Sequence, residues 1–112
     1  MTDRELLEFA AKAAGIAGFY RDGAFPGIVE PVIGGGDVPW NPLHNDGQAL
    51  RLAVDLRMLV GLDGAAYALV NDQRVFAEEK GEPDAHKATR LAIVKTAAEM
   101  GKIIEATEAK HP

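Results

Sequence analysis

The chain of 112 residues is 47% hydrophobic and 26% charged, which is typical of one globular domain and excludes a disordered chain. It lacks cysteine, which excludes disulfides, thiolate nucleophiles and cysteine-ligated zinc and suits a reducing cytoplasm. Its formal net charge of -5 disfavours nucleic-acid binding, and no apolar run approaches the roughly 18 to 20 residues of a membrane span. We therefore expect a cytoplasmic protein with a single domain over residues 1–112.

The N-terminal segment predicts a helix. Thr2 can cap this helix, and Glu5, three residues later, completes a capping box. Apolar residues then recur at helical spacing, at Leu6, Phe9, Ala10 and Ala13. Gly15 is a natural end for the helix, and residues 16–20 predict a short strand after it.

Residues 21–46 predict a long irregular loop, because they hold four prolines and five glycines. Pro31 confines any strand at residues 28–33 to the edge of a sheet. The glycine run at 34–36 lacks the lysine and the directly following helix of a phosphate-binding loop, so it favours a flexible connection. A connection of this length inside a small domain is typical of a functional or mobile segment.

A second helix is expected to begin near Asn45 or Asp46, either of which can cap it. Its apolar residues share one face at helical spacing: Ala49, Leu52, Ala53, Leu56, Leu59 and Val60. This pattern predicts that the helix runs to about Val60 and ends at Gly61.

Residues 65–70 and 74–77 predict a β-hairpin. Apolar side chains alternate with smaller ones in these two segments, and the turn is expected at residues 71–73. The next loop, 78–83, is highly charged, so we expect it at the surface.

The third helix is expected from a cap at Asp84 to about Ala106. One line at helical spacing predicts its buried side: His86, Ile93, Ala97, Met100 and Ile104. His86 would then be a packed, neutral imidazole. Leu91 and Ala98 lie nearer the polar side, so they could face a second copy of the chain in a homodimer.

These elements together predict an α+β fold. Three helices pack on a small antiparallel sheet or hairpin, with the long irregular loop between the first and second helices. This is the simplest arrangement that buries all three apolar stripes.

The most distinctive block of the sequence spans residues 40–54 and contains W-N-P-L, then D-G, then A-L-R-L-A-V. Together with T-D-R-E-L-L at 2–7 and A-T-R-L-A-I-V at 88–94, it resembles a family of small proteins encoded by tailed phages and prophages. That family has no known activity, so the resemblance implies a phage setting in a bacterial host and no function. Asn45 and Gln48 stand where acids are common in the family, which argues against acid–base or metal chemistry here.

Four residues of this block, Trp40, Asn41, His44 and Asp46, form the candidate ligand or partner surface. A structural interpretation is that Pro42 and the helix cap fix the chain direction while Trp40 packs over the core. A functional interpretation is that Trp40 anchors a partner. His44 and Asp46 supply only two metal ligands, so we predict no metal and no cofactor.

No catalytic set is visible, because the chain has no serine and no cysteine and its threonines lie outside any nucleophile motif. The favoured hypothesis is a non-enzymatic interaction module that binds an unknown host or phage protein. The alternatives are a small-molecule binder or minor enzyme using residues 40–46, and a structural or accessory component of the virion. Neither a membrane nor a nucleic acid is expected as a partner.

Overall fold

The computed structural model describes residues 1–30, 39–62, 65–70 and 75–109. This part of the chain contains three helices and five strands in two antiparallel sheets, which confirms the predicted α+β class. The elements in chain order are α1 Asp3–Ala14, β1 Phe19–Arg21, β2 Gly27–Val29, α2 Asp46–Asp55, β3 Leu59–Gly61, β4 Ala66–Val70, β5 Val75–Glu79 and α3 Ala85–Ala109. None of the described helices is long and apolar enough to cross a membrane.

Helix α1 begins and ends as predicted. The Thr2 hydroxyl accepts the backbone N–H of Glu5, the Glu5 side chain returns to the Thr2 backbone, and Gly15 ends the helix at φ 73°. The apolar face of α1 packs on α3 through small side chains and leucines. The buried residues of this contact include Leu6, Leu7, Ala10, Ala11, Ala97 and Ala98. A Cβ on Gly101 of α3 would lie 2.7 Å from the backbone carbonyl carbon of Phe9, so only glycine allows the two helices to approach this closely.

Strands β3, β4 and β5 form one antiparallel sheet in that order. Residues 66, 68 and 70 of β4 are buried while 67 and 69 are half-buried, which is the alternation of a sheet with one covered face. Helix α3 covers the buried face, and the hydroxyl of Thr96 donates to the backbone oxygen of Ala68 at 3.0 Å. The predicted hairpin is therefore confirmed as β4 and β5. Its predicted turn at 71–73 lies outside the described residues.

The second helix is shorter than predicted. It ends at Asp55 instead of Val60, and Leu59 and Val60 belong to a third strand of the sheet. Arg57 has φ 55°, in the left-handed region that ends helices. The apolar residues after it continued the helical spacing by coincidence, which is why the sequence favoured a longer helix.

Two predictions for α3 are wrong because the helix is rotated about its axis relative to the predicted buried line. His86 is exposed instead of packed in the core. Ala98 is fully buried within the chain, and Leu91 is half-buried and packs against the core. The predicted homodimer through Leu91 and Ala98 is therefore not available.

Strands β1 and β2 pair as a small hairpin, with Phe19 opposite Val29. Strand β1 overlaps the predicted range 16–20 at its last two residues and extends one residue beyond it. Strand β2 covers the beginning of the range 28–33, while residues 31–38, with the glycine run at 34–36, lie outside the described part of the chain.

Candidate functional site

The block that carries the candidate residues lies directly before α2, and we call residues 39–46 the Trp40 corner. The backbone of Trp40 pairs with Ile28 of β2 through two hydrogen bonds of 2.8 and 2.9 Å. A Cβ on Gly27 would lie 2.7 Å from the Trp40 carbonyl oxygen, so the chain approach requires glycine there. The Trp40 side chain is half-buried and packs against the core, as the structural interpretation expected.

Asn41 holds the Trp40 corner together from inside. The residue is only 8% exposed, its Nδ2 donates to the backbone oxygen of Pro26 at 2.9 Å, and its Oδ1 accepts the N–H of Leu43 at 3.1 Å. Its own N–H donates to Oε1 of Gln48 at 2.6 Å. The polar groups of Asn41 are therefore used by the fold, and the residue contributes to the candidate surface only as a buried lining residue of the cleft beside it.

Helix α2 and helix α3 are joined at the end of the Trp40 corner. Arg90 of α3 donates from Nε to the backbone oxygen of Leu43 at 2.8 Å and from Nη1 to Oδ1 of Asp46 at 2.6 Å. The hydrogen bond from Arg90 lowers the pKa of the Asp46 carboxyl, and desolvation opposes this only in part. Nδ1 of His86 lies 3.6 Å from Oδ2 of Asp46. The shortest contact of the Asp46 carboxylate is thus with Arg90, which joins α3 to the start of α2.

A cleft of about 590 Å³ lies between the β1–β2 turn and the start of α2. Its walls combine aromatic, aliphatic and polar side chains, namely Arg21, Ala24, Phe25, Pro26, Pro39, Asn41, His44, Asn45 and Gln48. Phe25 is 78% exposed, which makes it the most exposed of the large hydrophobic residues in the described part of the chain. We call this the Phe25 cleft.

The four predicted residues do not form one surface. His44 is exposed in the Phe25 cleft, Asn41 lies in its floor, and Trp40 lines neither this cleft nor the neighbouring groove. Asp46 lines that groove, which lies between α2, β3 and α3 and has a volume of about 440 Å³. Among the predicted residues, His44 and Asp46 are therefore the exposed ones, on different sides of the α2 N-terminus.

Sequence reasoning missed two residues that matter here. Phe25 lies two residues after a glycine and directly before a proline, so an aromatic side chain in a turn was the available signal. Arg90 gave no signal, because its partners Leu43 and Asp46 lie 47 and 44 residues away in the chain.

The described residues contain no group of three or more His, Cys, Asp or Glu side chains placed to hold a metal ion. The charged side chains around Asp46 form a carboxylate–guanidinium pair with a histidine beside it. The Asp46 carboxylate is already paired with Arg90, so this set joins α2 to α3.

No protein-family model matches this chain, and neither curated proteins nor solved structures gave a match. The resemblance to small phage and prophage proteins is untested by these comparisons and stays a prediction.

Proposed function

We propose that this chain is a non-enzymatic protein-interaction module of phage or prophage origin that binds a host or phage protein through the Phe25 cleft. The observation that carries the proposal is the exposure of Phe25 beside a rigid support. Exposed aromatic side chains are frequent anchors of protein interfaces, and loops on a rigid scaffold are frequent sites of recognition.

Hydrogen bonds to the residues after Phe25 support its position. Pro26, the residue after Phe25, accepts a hydrogen bond from buried Asn41, and Ile28 pairs with Trp40. Within the turn, Oδ1 of Asp22 accepts the N–H of Gly23 at 2.9 Å. The backbone that follows Phe25 is therefore held in place before any partner arrives, which lowers the entropy cost of binding.

The polar groups of the Phe25 cleft favour a protein partner over a small ligand. Asn41 and Gln48 are hydrogen-bonded to each other, and Asn45 caps α2 by accepting the N–H of Gln48 at 2.8 Å. A small ligand needs free polar groups that fix its orientation. An exposed phenylalanine with His44 nearby instead offers an apolar anchor with a polar rim, as protein interfaces do.

The test is affinity capture from lysates of uninfected and phage-infected bacteria, with quantitative mass spectrometry. Wild type is compared with Phe25→Ala and with Phe19→Ala, a matched control because Phe19 is 58% exposed on the neighbouring strand but does not line the cleft. We expect one protein to be enriched by wild type and by Phe19→Ala and lost with Phe25→Ala.

The captured protein is then purified and titrated directly. Binding that weakens by about tenfold or more with Phe25→Ala supports the proposal, since anchor residues typically contribute more than about 1 kcal/mol. Equal capture by wild type and both variants, or no enriched protein in either lysate, refutes it.

A further inference from the structure

The two outer strands of the three-stranded sheet differ in how their free edges are protected. Strand β5 contains Glu78 and Glu79 and is followed by Lys80, whose Nζ lies 3.5 Å from Oε1 of Glu78. Strand β3 is Leu-Val-Gly, and the next residue is Leu62. Charged residues on an edge strand prevent pairing with another chain, so β5 is protected and β3 is not.

Among the described residues, the main chain of β3 is unpaired on its outer side. Residues 59–61 pair with β4 on the inner side, and no other backbone hydrogen bond of these residues occurs in the described part of the chain. Unpaired N–H and C=O groups in a row are a template for one more antiparallel strand.

Apolar side chains flank this edge on both faces of the sheet. Leu59 points to the face opposite α3, while Leu62 and Leu50 line the groove on the α3 side together with Val60. Val54 lies one turn after Leu50 on α2. The four aliphatic residues Leu50, Val54, Leu59 and Leu62 are between 58% and 65% exposed. A patch of this kind on a small protein marks an interaction surface.

The absence of net charge around the patch favours a second copy of the chain as the partner that binds there. The segment 46–62 carries two aspartates and two arginines, all of them exposed, so its formal charge is zero in a chain of net charge -5. Two copies can therefore meet here with little mutual repulsion, whereas a strongly acidic or strongly basic partner gains nothing.

We propose that two copies of this chain form a symmetric dimer by antiparallel pairing of their β3 edges, which produces a six-stranded sheet. Leu50 and Leu62 of each copy pack against the partner at the groove. The four exposed aliphatic residues add apolar contact to the paired strands, and apolar contact of this kind stabilises homodimer interfaces. The dimer forms through a surface separate from the Phe25 cleft, so it does not depend on whether that cleft binds a partner.

The first test is sedimentation equilibrium of the purified chain at concentrations up to about 1 mM, the range in which weak dimers form. We expect a concentration-dependent dimer that Leu62→Lys weakens by about tenfold or more, because each copy then places a charge at the unprotected edge. Phe76→Lys is the control, since Phe76 is a similarly exposed apolar residue on β5. It should leave the dimer unchanged, and thermal unfolding should show that both variants are folded.

The second test measures spin-label distances in the dimer, which the absence of native cysteine makes straightforward. Single labels are placed at Leu59→Cys and Phe76→Cys, which lie in one row of the sheet because both residues oppose Leu69. Phe76 is two strands further from the edge, so its label pair should be about 19 Å longer than the pair at 59.

A monomer at every concentration overturns the proposal, as does a dimer that Leu62→Lys leaves intact. Equal distances for the two label pairs also overturn it, because they indicate that the open faces of the two sheets meet instead of their edges. These measurements use the purified chain alone, so their outcome is independent of whether the Phe25 cleft captures a partner.

Discussion

Helices α1 and α3 meet through alanine, leucine and glycine, and the backbone of Phe9 almost touches Gly101. Residues 41–43 of the Trp40 corner are also buried, but Asn41 and its hydrogen bonds to Pro26 and Leu43 organise them. The stability of the α1–α3 contact depends on the small volume of its side chains. The stability of the Trp40 corner depends on pairing its buried hydrogen-bond donors with acceptors. Added volume should therefore damage the helix contact most, while a removed polar group should damage the Trp40 corner most.

The largest effect is expected for Gly101→Ala. The new methyl group would overlap the backbone of Phe9, which cannot move without displacing α1. We expect a loss of about 3 kcal/mol in the free energy of unfolding, even though alanine gains about 1 kcal/mol over glycine within a helix. Urea denaturation measures this loss.

Gly81→Ala is the matched control for this variant, because nothing lies within 4 Å of a Cβ placed there. It should change stability by less than about 1 kcal/mol. If Gly101→Ala is as stable as Gly81→Ala, the close contact between α1 and α3 is wrong.

A smaller loss, about 2 kcal/mol, is expected for Asn41→Ala, because the buried oxygen of Pro26 and N–H of Leu43 lose their partners. Asn45→Ala is the comparison, since that asparagine is exposed and only caps α2. A cap contributes about 1 kcal/mol. Chemical denaturation should therefore rank Asn41→Ala below Asn45→Ala in stability. The reverse order would show that the Trp40 corner is held by packing alone.

The smallest effect is expected for Asp46→Asn, and it concerns the loss of stability at acidic pH. The hydrogen bond from Arg90 lowers the pKa of Asp46 in the folded chain, so ionised Asp46 stabilises the fold above its ordinary pKa of 3.8. This contribution disappears as the pH falls through the lower, folded-state pKa. Asp46→Asn should reduce the stability difference between neutral and acidic pH, as measured by thermal melts across that range.

Asp55→Asn is the control for the acid prediction. Asp55 lies at the other end of α2, is exposed, and has no ion pair in the described part of the chain. Its replacement removes the same charge but should leave the acid dependence close to that of wild type. If both variants respond alike, the pair between Asp46 and Arg90 has no special role in acid stability.

Local signals in the sequence were sufficient for helix α1 and for the hairpin. The capping box at Thr2 and the stop at Gly15 act within a few residues, so the sequence displays them directly. The β3 strand was missed because the feature that ends α2 is the left-handed conformation of Arg57, and arginine gives no signal for it.

The positions of His86 and Asn41 both depend on contacts that are distant in the sequence. The predicted buried line gave weight to large side chains, whereas α3 buries Ala88, Ala92 and Gly101 and leaves His86 exposed. Together with its neighbour Trp40, Asn41 was assigned to the candidate surface. Its burial depends on the carbonyl of Pro26, fifteen residues earlier, and such a partner is visible only once the chain is folded.

Four of the eight buried residues of α3 are alanines, whose short side chains resist sliding of the helix along the strands less than large side chains do. The hydroxyl of Thr96, bonded to the oxygen of Ala68, is a buried polar contact that resists this movement, together with the ion pair between Lys95 of α3 and Glu79 of β5. A shift of α3 by one turn, about 5.4 Å, would leave that hydroxyl without its acceptor in an apolar layer. Thr96 therefore fixes the register of α3 on the sheet, where short apolar side chains alone would allow several positions of the helix.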